Sequence, residues 1–296
     1  MRNNQDRTSG NVRLTADMEI MVPKGASIEA HGRYGDFDIT EINGNVEIIS
    51  DNAGVRLQNI GGDARIDLRR SDVVRATGVK GAFDLKGHGA DIDLQNIDGQ
   101  VTIGGTYSGV IQFRNLAKPL RFNGQQTDLS IEKLPGQVRM ALGDFTASNL
   151  IGPITLTTRS RDVQISDFTN SLTVSLERGD IELRPGKLPL ARMDVETRSG
   201  DIELSVPAAA KLDLTASTAR GDATNDFGSP LRVESSGRGS AVKGSISGGP
   251  TVNVHTERGT VVVRKASIDD KPLTPRGDET HNDSPLPVKP LKKLDQ

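Results

Sequence analysis

The residues with the widest scope for chemistry are carboxylates two positions apart in strand-like sequence. Asp36 and Asp38, Asp91 and Asp93, Asp180 and Glu182, and Asp201 and Glu203 are such pairs. Side chains alternate between the faces of an extended chain, so each pair shares one face. Stacked across neighbouring strands, the pairs would form an acidic ladder whose hard oxygens suit calcium. Paired carboxylates also act as acid and base in sugar-cleaving enzymes. Neither chemistry is well served here. Gly87-His88-Gly89-Ala90-Asp91 comes nearest to a calcium nonapeptide repeat, but Asp93 stands where an apolar residue should follow. Sugar-processing grooves need aromatic platforms, and this chain has Tyr34, Tyr107 and no Trp. The acids are expected to form a solvated strand face, with Lys and Arg nearby to limit repulsion.

The other reactive types are scattered. His31, His88, His255 and His281 lie far apart, and His255 with Glu257 is the one local pair with ligand chemistry. There is no Cys, which removes disulfides, cysteine-ligated zinc and thiol catalysis together. Gly104-Gly105 and Gly248-Gly249 lack the strand–loop–helix context of a phosphate cradle. Arg-Gly-Asp occurs at Arg178-Gly179-Asp180, Arg220-Gly221-Asp222 and Arg276-Gly277-Asp278. The first two fall where Gly-Asp is already expected as a turn, so an adhesion tripeptide is not needed to explain them. No catalytic, cofactor-binding or metal-binding residue is assigned, no cofactor is expected, and the chain is read as not being an enzyme.

The elements that carry these residues recur. A turn glycine, a polar residue and alternating apolar and polar residues appear at Gly35-Asp36-Phe37-Asp38-Ile39, Gly44-Asn45-Val46-Glu47-Ile48 and Gly62-Asp63-Ala64-Arg65-Ile66. The phrase returns at Gly179-Asp180-Ile181-Glu182-Leu183 and Gly200-Asp201-Ile202-Glu203-Leu204. Gly143, Gly152, Arg161, Asn170 and Gly179 keep a spacing of nine. Short strand-plus-turn units at a fixed period are the signature of a solenoid. The expected fold is an all-β, single-stranded β-solenoid (β-helix) with roughly two short strands per coil. About a dozen coils at ~4.8 Å each would make a rod about 60 Å long. Ile181 with Leu183 and Ile202 with Leu204 should face inward, and most phenylalanines should join them.

Composition agrees with this architecture. Hydrophobic residues are 34% and aromatics 3%, while Gly reaches 32 residues. A solenoid needs little aromatic bulk, because each coil buries only a thin strip against the next. Disorder is excluded for most of the length by the regular alternation and by a net charge of −2. That charge offers no basic face for nucleic acid. Met1–Arg7 is polar without a signal-type apolar stretch, and no apolar run is long enough to span a membrane. Ala208-Ala209-Ala210-Lys211 after Pro207 is expected to be a turn, using the same corner as Val22-Pro23-Lys24-Gly25. Three segments result: a disordered or truncated lead at 1–11, a solenoid at 12–266 and a Pro- and charge-rich disordered tail at 267–296.

The Ser199–Leu204 phrase and the Val22–Gly25 corner resemble a bacterial β-strand-repeat family of unknown function that goes under an adhesin label. The ending is similar too: Gly237-Arg238-Gly239, then Val252-Asn253-Val254, the turn Thr256-Glu257-Arg258-Gly259 and the strand Val261-Val262-Val263. The resemblance covers roughly 12–266. It implies a β-solenoid outside the cytoplasm, often placed behind a membrane helix or another envelope domain, and it supplies no catalytic residues. The expected function is an adhesin-like binding or spacer element of the cell envelope, with a protein or glycan surface partner and a monomeric or weakly oligomeric state. A self-assembling scaffold of stacked coils is the second reading, and a carbohydrate-active enzyme the third.

Overall fold

The computed structural model describes residues 18–266, and the expectations for 1–11 and for the 267–296 tail lie outside them. Within that range the chain is all β, with 22 strands and no helix. The first coil is β1 (Ile28–Tyr34) and β2 (Phe37–Thr40), and the second is β3 (Val46–Asn52) and β4 (Val55–Ile60). β5 (Ala64–Val79) and β6 (Phe83–Ile97) are each one long strand that makes a whole coil. β7 (Val101–Tyr107) and β8 (Ile111–Leu116) follow, and β9 (Leu120–Gly124) begins another. Strands therefore alternate between a front ladder (β1, β3, the start of β5 and of β6, β7, β9) and a back ladder (β2, β4, the ends of β5 and β6, β8), each paired in parallel.

The chain then doubles back. β10 (Thr127–Ala141) runs antiparallel to β9 in the front ladder and to β8 in the back one, a complete coil wound in reverse. β11 (Asp144–Ser160) lies antiparallel to β10 and restores the forward direction. Winding continues through β12 (Asp162–Phe168), β13 (Leu172–Arg178), β14 (Ile181–Arg184), β15 (Met193–Thr197) and β16 (Ile202–Val206), again in parallel. After β17 (Leu212–Thr218) and β18 (Ala223–Asp226) comes a hairpin, β19 (Arg232–Ser236) and β20 (Gly239–Ile246), whose second strand is antiparallel to β17. β21 (Thr251–Thr256) then enters between β15 and β17, and β22 (Val261–Lys265) between β16 and β18. The solenoid has about nine turns. The all-β solenoid is the fold expected, with fewer turns than the dozen estimated.

Reversal leaves the core continuous. Leu120, Ile131, Ile154, Leu172, Met193 and Val252 stack as one front row, and Ile111, Met140, Phe145, Val163, Ile181, Ile202 and Val261 as one back row. All are at most 2% exposed. Each such side chain contributes about 1.5–3 kcal/mol relative to exposure. β10 fits because alternation is the same read in either direction: Leu129, Ile131, Val138 and Met140 all point inward. Ile181, Leu183, Ile202 and Leu204 are buried as expected, as are Phe83, Phe113, Phe122, Phe145 and Phe168, while Phe37 is half-buried. Ala208–Ala210 belongs to a turn, closed by Ala210 N donating to Pro207 O at 2.9 Å.

Candidate functional site: the acidic trough of the back ladder

The glycine and the aspartate of Gly-Asp have separate structural duties. Gly179, Gly200 and Gly259 stack at one corner with φ of 131°, 153° and 146°. A Cβ on Gly200 would lie 2.0 Å from Gly179 O, and one on Gly259 would lie 2.1 Å from Gly200 O. Both the left-handed backbone and the close stacking exclude a side chain. The following aspartate caps the next coil. Asp162 accepts from Asp180 N at 3.0 Å, Asp180 from Asp201 N at 2.8 Å, and Asp201 from Thr260 N at 2.7 Å. Similar caps recur in the N-terminal coils, where Asn45 accepts from Asp63 N at 2.9 Å and Asp63 from Ala82 N at 2.8 Å. Asp36 and Asp91 cap Gly54 N and Val110 N, both at 2.8 Å.

On the outer side of the back ladder these caps edge a shallow trough of about 390 Å³. One side is Asp144, Asp162, Asp180 and Asp201, and the floor carries Thr146, Gln164, Glu182 and Glu203 in register. Strand pairing therefore sets Glu182 directly beside Glu203. Two arginines offset that like-charge contact: Arg184 bonds Glu182, and Arg264 bonds Glu203 and also donates to Ser205 Oγ at 3.0 Å. The expected acidic ladder thus exists, with the carboxylates of Asp162, Asp180, Asp201, Glu182 and Glu203 engaged. In the N-terminal coils Arg114 bonds Asp93 at 3.0 Å.

The other singled-out groups do not converge on this trough. His255 bonds Ser217 Oγ at 3.0 Å, while Glu257 faces Arg198 at 3.7 Å. His31 bonds Glu29 of its own strand at 2.9 Å. Among the described residues no three His, Asp or Glu side chains are placed to share a cation. Gly179 and Asp180 of the first Arg-Gly-Asp are held in the corner just described. In the second, Arg220 O and Asp222 O accept from Gly259 N and Val261 N at 3.2 and 2.9 Å. Arg276-Gly277-Asp278 lies outside the described residues.

Three features escaped sequence reasoning. Thr197, Thr218 and Thr256 are at most 4% exposed. Thr256 and Thr218 donate to the corner carbonyls of Gly200 and Gly259 at 2.9 and 2.8 Å. A second corner uses left-handed asparagine: Asn59, Asn96 and Asn115 have φ of 56°, 56° and 51°, and Asn115 donates to Asn96 at 2.6 Å. The recurring polar–Asn–aliphatic triplets Gln58-Asn59-Ile60, Gln95-Asn96-Ile97 and Arg114-Asn115-Leu116 were the available signal. The third is the seam at β10, where a cleft of about 260 Å³ opens beside Tyr107, Phe122 and Arg161. Arg161 replaces glycine in the nine-residue series and donates to Thr127 Oγ1 and Asp144 O, both at 3.2 Å, and to Ala141 O. Burial lowers its pKa, and Asp144 opposes the shift. Burial, with Asp67 adding to it, raises the phenol of Tyr107 well above its ordinary value. At the surface, hydrogen bonds from Asn253 and Arg192 hold Asp194 below the usual carboxylate range.

No helix among the described residues is long and apolar enough to cross a membrane. No curated protein and no solved structure matches the chain. The adhesin label of the resembling family finds no support in the family match, which is to a domain of unknown function. Its model spans residues 4–264, nearly the whole stack of coils with both ladders and the trough, and the chain belongs to that family, Toastrack DUF4097.

Proposed function

We propose that this chain is a non-enzymatic β-solenoid serving as an adhesin-like binding or spacer element of the bacterial cell envelope. The observation that supports this is the engagement of five trough carboxylates: Asp162, Asp180 and Asp201 on backbone amides, Glu182 and Glu203 on arginines. A carboxylate fixed in that way is a poor proton shuttle and a good element of a rigid charged surface. Its partner is a cationic surface of protein or glycan. The test is retention of the purified protein on isolated bacterial envelopes at rising salt, with Glu182→Lys/Glu203→Lys alongside. Retention should fall with salt and with charge reversal. Equal retention of the double variant, or release of soluble sugar fragments, would overturn the reading.

The scaffold reading has one observation in its favour: among the described residues β1 and β2 each pair on one side only. Against it, the opposite end is covered. β20 lies antiparallel on β17, Leu231 and Phe227 are buried there, and Lys265 Nζ sits 5.4 Å from the Phe227 ring centre. Growth of a filament needs two open ends. Sedimentation at micromolar concentration should show no filaments, and their appearance would promote the scaffold reading.

A further inference from the structure

Among the described residues the N-terminal end of the stack is incomplete, and they include a piece that fits it. Ile28, Ala30, Phe37 and Ile39 of the first coil are only partly buried. Their neighbours one coil further in, Val46, Ile48, Val55 and Leu57, are at most 2% exposed. The chain reaches β1 through a turn closed by Ala26 N donating to Pro23 O at 2.9 Å. Ala210 N and Pro207 O close the same turn at 2.9 Å. The sequences agree in spacing: Val22-Pro23-Lys24-Gly25-Ala26-Ser27-Ile28 against Val206-Pro207-Ala208-Ala209-Ala210-Lys211-Leu212. Both turns lead into a front-ladder strand, β1 or β17.

What enters the second turn is β16, a back-ladder strand whose Ile202, Leu204 and Val206 are each 1% exposed. Counting back from the first turn puts Met18, Ile20 and Val22 in those positions. They belong to no strand and are 82%, 70% and 38% exposed. Their exit point is fixed on the correct side, because Lys24 O accepts from Asn43 N at 2.7 Å in the corner that follows β2; that bond sets Lys24 level with Ile42, so Ile20 reaches Ile39 with one extra residue bulged at the Val22-Pro23 turn. We propose that Met18–Val22 is a back-ladder strand that docks in parallel on the free edge of β2, laying Met18 over Phe37 and Ile20 over Ile39. Docking supplies that edge with a partner strand and covers the half-buried end of the core. The occupant is the chain's own segment, since the turn delivers it there without a second molecule.

The experiment compares the full chain with Ile20→Asp and Met21→Asp, Met21 being on the outward side of the same stretch and 89% exposed. Hydrogen exchange of the amides of 18–22 and Tm at several protein concentrations are the readouts. Docking is expected to slow exchange there by roughly tenfold or more, with a Tm independent of concentration. Ile20→Asp should abolish that protection and lower Tm by a few degrees, whereas Met21→Asp should do neither. Unprotected amides in the unsubstituted chain, or equal effects of both substitutions, would overturn the proposal. Protection that appears only as concentration rises, with dimers in sedimentation, would overturn it in favour of a second copy on the edge.

Discussion

The coils before β10 and those after it are built from the same rows of Val, Ile and Leu, yet they are assembled by different rules. Before the reversal, spatial order follows chain order: β1, β3, β5, β6, β7 and β9 in the front ladder. After it, β21–β22 is wedged between coils that precede it in sequence. The contrast shows what the rows can specify. They decide which residues are buried, because Ile202 meets Val261 in the same manner as Val55 meets Val74. They do not decide which coil stacks on which, since every coil offers its neighbour a nearly equivalent strip. Order is imposed by hairpins and corners, and where these reverse the chain the stack need not follow it.

The sharpest attempt to break this comparison is truncation before Thr251, which empties the slot between β16 and β18. Hydrogen exchange should show protection lost from β17 and β18 and retained in β3–β8. Persistent protection of β17–β18 would mean that β15–β16 re-pairs directly with β17–β18. Next in size, Val261→Asp puts an unpaired charge between two coils and should cost about 4 kcal/mol in denaturant unfolding. Ile39→Asp, in the first coil, should cost about half as much, and equal losses would show that the N-terminal coil is as enclosed as the interior. Asp180→Ala and Asp63→Ala remove equivalent caps from the two regions and should each cost about 1–2 kcal/mol. A large disparity would show that the corners are not equivalent. Smallest, Glu203→Lys exchanges the Arg264 contact for relief of repulsion from Glu182, and should stay within about 0.5 kcal/mol.

The solenoid and its inward positions were legible because alternation is local: a residue's neighbours in sequence reveal its face. Gly-Asp marked the corners for the same reason. The wedged coil was not legible, since nothing in Val252-Asn253-Val254 distinguishes pairing with β17 from pairing with β15. The reverse pass was equally hidden, because period-two sequence has no direction. Even Arg161, which broke the glycine series in plain view, disclosed its part in tying the seam only through bonds to residues up to 34 positions away. The acidic face was readable as a face. That its carboxylates are bound to amides and arginines depends on registers between coils 18 to 59 residues apart.

The wedged coil also bears on how the protein is made. During synthesis β15–β18 leave the ribosome before β21–β22 exists, so the edges that will flank the slot stay unfilled until Lys265 has emerged. A chain paused in that interval presents parallel strand edges of matching apolar phase, the kind of surface another nascent copy can occupy by mistake. Late elongation is therefore the stage at which this rod is most dependent on being kept apart from its siblings.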